Sequence, residues 1–115
     1  NKELYGSISK TNFNKINTYI RENTVWDKSI FSQNDIVVKK NKTLTVNSKL
    51  IMSNNTTIIL EKKSKLIIDG GKILIGIDSW NGIIKCKTEF NKKKKPSKSK
   101  NRAQIQLING GEINY

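Results

Sequence analysis

Two stretches of this sequence superimpose without a gap. IVVKKNKTLTVNSKLIM, from Ile36 to Met52, lies over IILEKKSKLIIDGGKIL, from Ile58 to Leu74, at an offset of 22 residues. Apolar residues coincide at Ile36/Ile58, Val37/Ile59, Val38/Leu60, Leu44/Leu66, Val46/Ile68, Ile51/Ile73 and Met52/Leu74. The coincidences form three short clusters divided by polar residues, in the same places in both copies. A third copy is partial: Leu107 to Ile113 echoes Ile67 to Ile73 at an offset of 40, which is 22 plus 18. The spacing therefore departs from a plain repeat between residues 88 and 103.

The clusters are rich in Ile, Val, Leu and Thr, which suit a pleated surface. Turn formers divide them: Asn47-Ser48, Asn54-Asn55, Asp69-Gly70-Gly71 and Asn109-Gly110-Gly111. No helical period runs through residues 36 to 86. Three short strands and three turns per repeat describe one coil of an all-β parallel solenoid. A single coil cannot bury its own apolar face, but the next coil laid on top creates a shared interior. Equivalent residues then sit one strand spacing apart, ~4.8 Å. This places Ile36 under Ile58, Leu44 under Leu66 and Ile51 under Ile73, in about five coils. Glycine suits the Asp/Asn-Gly-Gly corners because it accepts positive φ. The competing architecture is an antiparallel β-sandwich, which also uses short strands. A sandwich has no reason to keep a gapless 22-residue match.

The run from Thr24 to Ile73, with its Trp26, Thr43-Leu44-Thr45 and Leu66 to Gly71, continues into Trp80-Asn81-Gly82-Ile83. It resembles the right-handed parallel β-helix region of large secreted bacterial surface proteins of the pectin-lyase-like superfamily. The resemblance covers residues 24 to 85, with a weaker echo at 104 to 113. It implies a right-handed helix and an exported, cell-surface protein, often an adhesin, using a dedicated outer-membrane route such as type IX secretion. It implies little about activity, because that fold hosts lyases, hydrolases, adhesins and passive stalks alike.

Residues 1–35 are expected to be an N-terminal cap and lead-in, and 36–115 the coils, in a fragment of a longer chain. Thr11 to Asn23 places Phe13, Ile16 and Ile20 on one face of a short helix that Thr11 would cap; a loop with a strand is the alternative. Trp26 and Phe31 are expected to plug the first coil's interior. The C-terminal end should continue into further coils or be covered by a protein partner, because open strand edges invite association.

The chain has 22 Lys and Arg against 9 Asp and Glu, a net charge of +13 over 115 residues. Part of that excess reflects a composition biased to Lys, Asn and Ile. Seven of the basic residues lie in Asn91 to Arg102, NKKKKPSKSKNR, without a single acid. This is an insertion into one coil, and Lys92, Lys93, Lys94, Lys95, Lys98, Lys100 and Arg102 are its candidate polyanion-binding residues. The partner would be an acidic polysaccharide or another polyanion, held in a salt-dependent way. Specific nucleic-acid reading is not expected, since Arg21 and Arg102 are the only arginines. The alternative is a solvated loop.

The absence of histidine excludes Ser-His and Cys-His pairs, and the single Cys86 excludes an internal disulfide. A glycosidase needs two carboxylates across a groove. Asp69 instead reads as a turn residue bonding nearby backbone N–H groups, Asp78 as a loop residue, and Glu61 as a weak surface partner of Lys39. Cys86 reads as a small, buried or half-buried residue. No catalytic residue, metal, cofactor or membrane span is expected. The expected role is a non-catalytic structural or adhesive module. The alternatives are part of a carbohydrate-active β-helix enzyme whose catalytic coils lie elsewhere, and a polyanion-binding protein using the Lys-rich loop.

Overall fold

The computed structural model describes residues 17–86 and 101–115. Their twelve strands are β1 (Thr18–Ile20), β2 (Thr24–Trp26), β3 (Ile30–Ser32), β4 (Ile36–Val38), β5 (Thr43–Val46) and β6 (Lys49–Met52). Then follow β7 (Ile58–Leu60), β8 (Lys65–Asp69), β9 (Lys72–Ile75), β10 (Ile83–Lys85), β11 (Gln104–Ile108) and β12 (Glu112–Ile113). Every third strand joins the same sheet, in the orders β1-β4-β7-β10, β2-β5-β8-β11 and β3-β6-β9-β12, here called sheets A, B and C. All pairings are parallel. The described residues form an all-β parallel solenoid of about three turns, each sheet four strands deep, fewer than the five coils expected, and contain no helix.

Stacking follows the repeat through sheets A and B. Ile36, Val37 and Val38 pair with Ile58, Ile59 and Leu60, and Leu44 and Val46 lie against Leu66 and Ile68. The interior is made of these ladders. Ile36, Val38, Leu44, Val46, Leu50, Met52 and their neighbours above, Ile58, Leu60, Leu66, Ile68 and Ile73, are fully buried. Each such side chain withdrawn from water contributes about 1.5–3 kcal/mol before entropic costs. The ladders continue into the last coil, where Ile105, Leu107 and Ile113 lie on Leu66, Ile68 and Ile73. Ile105 and Leu107 are exposed, being covered from one side only.

Sheet C departs from the expected register. Leu50 pairs with Ile73, Ile51 with Leu74 and Met52 with Ile75, so the offset there is 23 and the Ile51/Ile73 and Met52/Leu74 pairs do not form. The extra residue enters at the corner between sheets B and C. Asn47 and Ser48 join Val46 to Lys49, whereas Asp69, Gly70 and Gly71 join the stacked Ile68 to Lys72. In the last coil Ile108, Asn109, Gly110 and Gly111 join Leu107 to Glu112. Leu107 consequently pairs with Ile68, an offset of 39, while Ile113 keeps its expected partner Ile73.

The glycines explain how a longer corner still stacks. Gly70 and Gly110 hold positive φ, 70° and 83°. Gly71 has a different reason: a Cβ there would lie 2.5 Å from the Ser48 carbonyl oxygen and 2.7 Å from that of Val46. A Cβ on Gly111 would collide with the Ile68 carbonyl in the same way. The second glycine of each pair lets one corner sink onto the backbone of the coil below.

The stack begins earlier than Ile36. Strands β1–β3 form a complete coil paired with β4–β6, so it reaches back to Thr18. Thr18–Ile20 is strand β1, the strand alternative to the short helix over Thr11 to Asn23; residues 11–16 of that stretch lie outside the described residues. Pairing with β4 buries Ile20, and the Asp35 carbonyl accepts from the Thr18 N–H at 2.8 Å. An isolated helical turn offers neither. Trp26 does point to the interior, stacked on Val46 and packed against the core. Phe31 does not: it is 55% exposed, because Ile30 and Ser32 hold the inward positions of β3, over Leu50 and Met52.

A candidate polyanion-binding corner

The three corners of the solenoid differ in charge. At the corner between sheets A and B, the first coil has Arg21-Glu22-Asn23 and the second Lys39-Lys40-Asn41-Lys42. The third has Glu61-Lys62-Lys63-Ser64-Lys65, and the last has Lys85 with Asn101-Arg102. Nine of the twelve described lysines and arginines sit there with two acids, a net charge of +7. The corner between sheets B and C balances Lys28, Lys49 and Lys72 against Asp27, Asp69 and Glu112. The corner between sheets C and A has Asp35 and Asp78 and no base among the described residues.

Backbone stacking makes the basic corner a ridge along the solenoid axis. The Asn41 N–H donates to the Lys62 carbonyl (3.1 Å), Lys65 N–H to Lys42 (2.9 Å) and Lys63 N–H to Asn101 (2.8 Å). Below, the Asn23 side-chain oxygen accepts from the Thr43 N–H at 3.0 Å. Equivalent turn positions carry Asn41, Lys63 and Arg102, and all three are left-handed, with φ of 63°, 60° and 62°. Asn tolerates that region, whereas Lys and Arg do so at a cost.

Glu61 corrects an expectation. It is not a surface partner of Lys39 but is fully buried. Its Oε2 accepts from Lys39 Nζ at 2.9 Å and its Oε1 from the Lys40 N–H at 3.0 Å. The acid is thus folded beneath the ridge and ties the second coil's turn to the third, while Lys40 and Lys63 remain exposed. Arg21 and Lys39 lie over the Tyr19 ring, 4.9 and 5.6 Å from its centre.

Of the candidate loop residues, Lys92, Lys93, Lys94, Lys95, Lys98 and Lys100 lie outside the described residues. Arg102 is exposed on the ridge. The described residues stop at Cys86 and resume at Asn101, both at the basic corner. Asn101 closes that gap. Its side-chain amide donates to the carbonyls of Leu60 (3.1 Å) and Cys86, and its oxygen accepts from the Ala103 N–H at 2.7 Å. Cys86 is half-buried.

Two further carboxylates, Asp69 and Asp35, face structural partners. Asp69 accepts from the Asn109 side-chain amide of the next coil at 2.6 Å, instead of from backbone N–H groups of its own turn. Asp35 accepts from the Thr57 N–H at 2.9 Å. A shallow groove of about 330 Å³ lies at the B–C corner between Ser29, Ser48, Lys49, Gly70, Gly71 and Lys72. Near the end of the chain, Trp80 Nε1 donates to the Asn114 carbonyl at 2.7 Å and its ring stacks on Tyr115 at 5.7 Å. Among the described residues no group of three acids or cysteines is placed to hold a metal ion. No helix among them is long and apolar enough to cross a membrane.

The loop's charge was legible in the sequence; the ridge was not, although a lysine cluster recurs at the same turn in both copies. The burial of Glu61 and the Asn101 clasp left no local signal, since each depends on which coil lies alongside. No family model matches the sequence, and no curated protein or solved structure does either.

Proposed function

We propose that the chain is a non-catalytic structural or adhesive module, a segment of a right-handed parallel β-helix of the pectin-lyase-like kind. It would belong to an exported bacterial cell-surface protein, with type IX secretion as the route. The observation that carries this reading is the unbroken stacking of apolar ladders through three sheets. Such a stack transmits force along its axis and presents repeated corners to the outside, which suits a spacer with an adhesive flank. Asp35, Glu61 and Asp69 each hold neighbouring coils together, which leaves them poor candidates for a pair of carboxylates facing across a substrate.

The test is incubation of the full chain with a panel of acidic polysaccharides, followed by ultraviolet detection of unsaturated ends and reducing-sugar assay. No turnover above a heat-denatured control is expected. Robust product formation would replace the module reading with the enzyme alternative.

A further inference from the structure

We propose that the A–B ridge docks a linear sulfated polysaccharide lying along the solenoid axis. This rests on the module reading above and supplies its ligand class. Three independent features converge on it. The charge is sorted: the described residues give this corner +7, while the other two are neutral and acidic. Glu61, the acid of the central turns, is fully buried against Lys39, so the outer surface there presents cations. Lys63 and Arg102 occupy left-handed positions at which the coil below uses Asn41. Backbone conformations of that cost collect where a side chain has a use beyond folding.

Spacing selects the ligand. Successive turns are one strand spacing apart, ~4.8 Å. An extended glycan advances by a comparable length for each sugar. In the second and third coils Lys40 and Lys63 are exposed, with half-buried Lys42 and Lys65 beside them. That is about two positive charges per sugar, the density of a multiply sulfated chain. A polyuronate carries one carboxylate per sugar and would leave half of them unmatched. Single-stranded nucleic acid needs aromatic platforms for its bases. Tyr19, the aromatic residue of this corner, already lies beneath Arg21 and Lys39. Duplex nucleic acid is far wider than a ridge one turn across. Lysine ammonium groups act as point charges, which suits sulfate groups spread along a flexible polymer.

The experiment uses the full chain and heparin as probe. Binding is measured over a salt series, with polygalacturonate and single- and double-stranded DNA as competitors. One variant carries Lys40→Gln, Lys42→Gln, Lys63→Asn and Lys65→Gln; a second carries only Lys40→Gln and Lys65→Gln. A control carries Lys28→Gln, Lys49→Gln and Lys72→Gln at the B–C corner. Circular dichroism and melting establish that each is folded. The four-site variant is expected to bind heparin at least tenfold more weakly with a shallower salt dependence. The two-site variant should fall between it and the parent, and the control should stay within twofold. Equal losses in the control and the four-site variant would reduce the effect to net charge and overturn the proposal. So would competition by polygalacturonate or DNA as effective as that by heparin. Absence of heparin binding without polysaccharide turnover would remove the ridge proposal and leave the module. Heparin binding accompanied by turnover would do the reverse.

Discussion

The A–B and B–C corners belong to the same stack and solve the same problem, turning the chain between sheets, by opposite means. The A–B corner keeps its length in the second and third coils, so the 22-residue offset passes through it unchanged from β4·β7 to β5·β8. Side chains hold it: Asn23 on the Thr43 N–H, Glu61 on Lys39 and the Lys40 N–H, and Asn101 on Leu60 and Cys86. The B–C corner grows from Asn47-Ser48 to Asp69-Gly70-Gly71 and then to Ile108-Asn109-Gly110-Gly111. Absent side chains let it lengthen: Gly71 and Gly111 press directly on the coil below, while Ser48 on the Trp26 and Lys28 carbonyls and Asn109 on Asp69 tie its coils together. A corner fixed by hydrogen-bonded side chains can carry a sorted surface charge. A corner whose longer turns rest on glycine backbone has fewer side chains to sort, and its described charges cancel.

Four substitutions probe that contrast, all read from urea unfolding midpoints at constant m-value. The largest effect belongs to Gly71→Ala. Its Cβ would meet backbone that is itself hydrogen-bonded between coils, so a loss of about 3 kcal/mol or more is expected. A loss below 1 kcal/mol would mean that the corner yields, and that glycine is a convenience there. Next comes Glu61→Ala. It strands Lys39 and the Lys40 N–H beside a small cavity and should cost about 2–3 kcal/mol. Asp69→Ala in the same coil removes a solvent-exposed bond and should cost less than about 0.5 kcal/mol. Equal costs would erase the distinction between the two corners. The remaining effect is a gain. Lys63→Asn relieves the left-handed position in the manner of Asn41 and should stabilise by about 0.5–1 kcal/mol. Increased stability together with weaker heparin binding would show that the lysine is held at a cost to the fold.

The candidate site was partly legible in the sequence. Lys40 and Lys62 stand 22 residues apart, so once coils are drawn the two Lys-Lys pairs fall on one corner. The run Asn91 to Arg102 drew attention away from them because density along a sequence is easier to see than density along an axis. Glu61 was misjudged for the same reason. Among lysines it looks like a surface residue, and only the coil carrying Lys39 and Lys40 covers it. Thr18 to Ile20 stayed open between helix and strand because Phe13, Ile16 and Ile20 match a helical period as well as Ile20 matches a strand, and the partner that decides lies 18 residues further on, Ile36 for Thr18.

What the sequence by itself determined was the coil: strand-forming clusters, polar turns and an offset of 22 that sets Leu44 against Leu66. What only the tertiary structure decided was the register beyond the glycine corner and the side on which charge collects. In Leu50-Ile51-Met52 three apolar residues follow one another, so a slip of one residue still sets apolar on apolar. The pattern there is degenerate. The choice fell to the space above Ser48, which admits glycine backbone and no side chain.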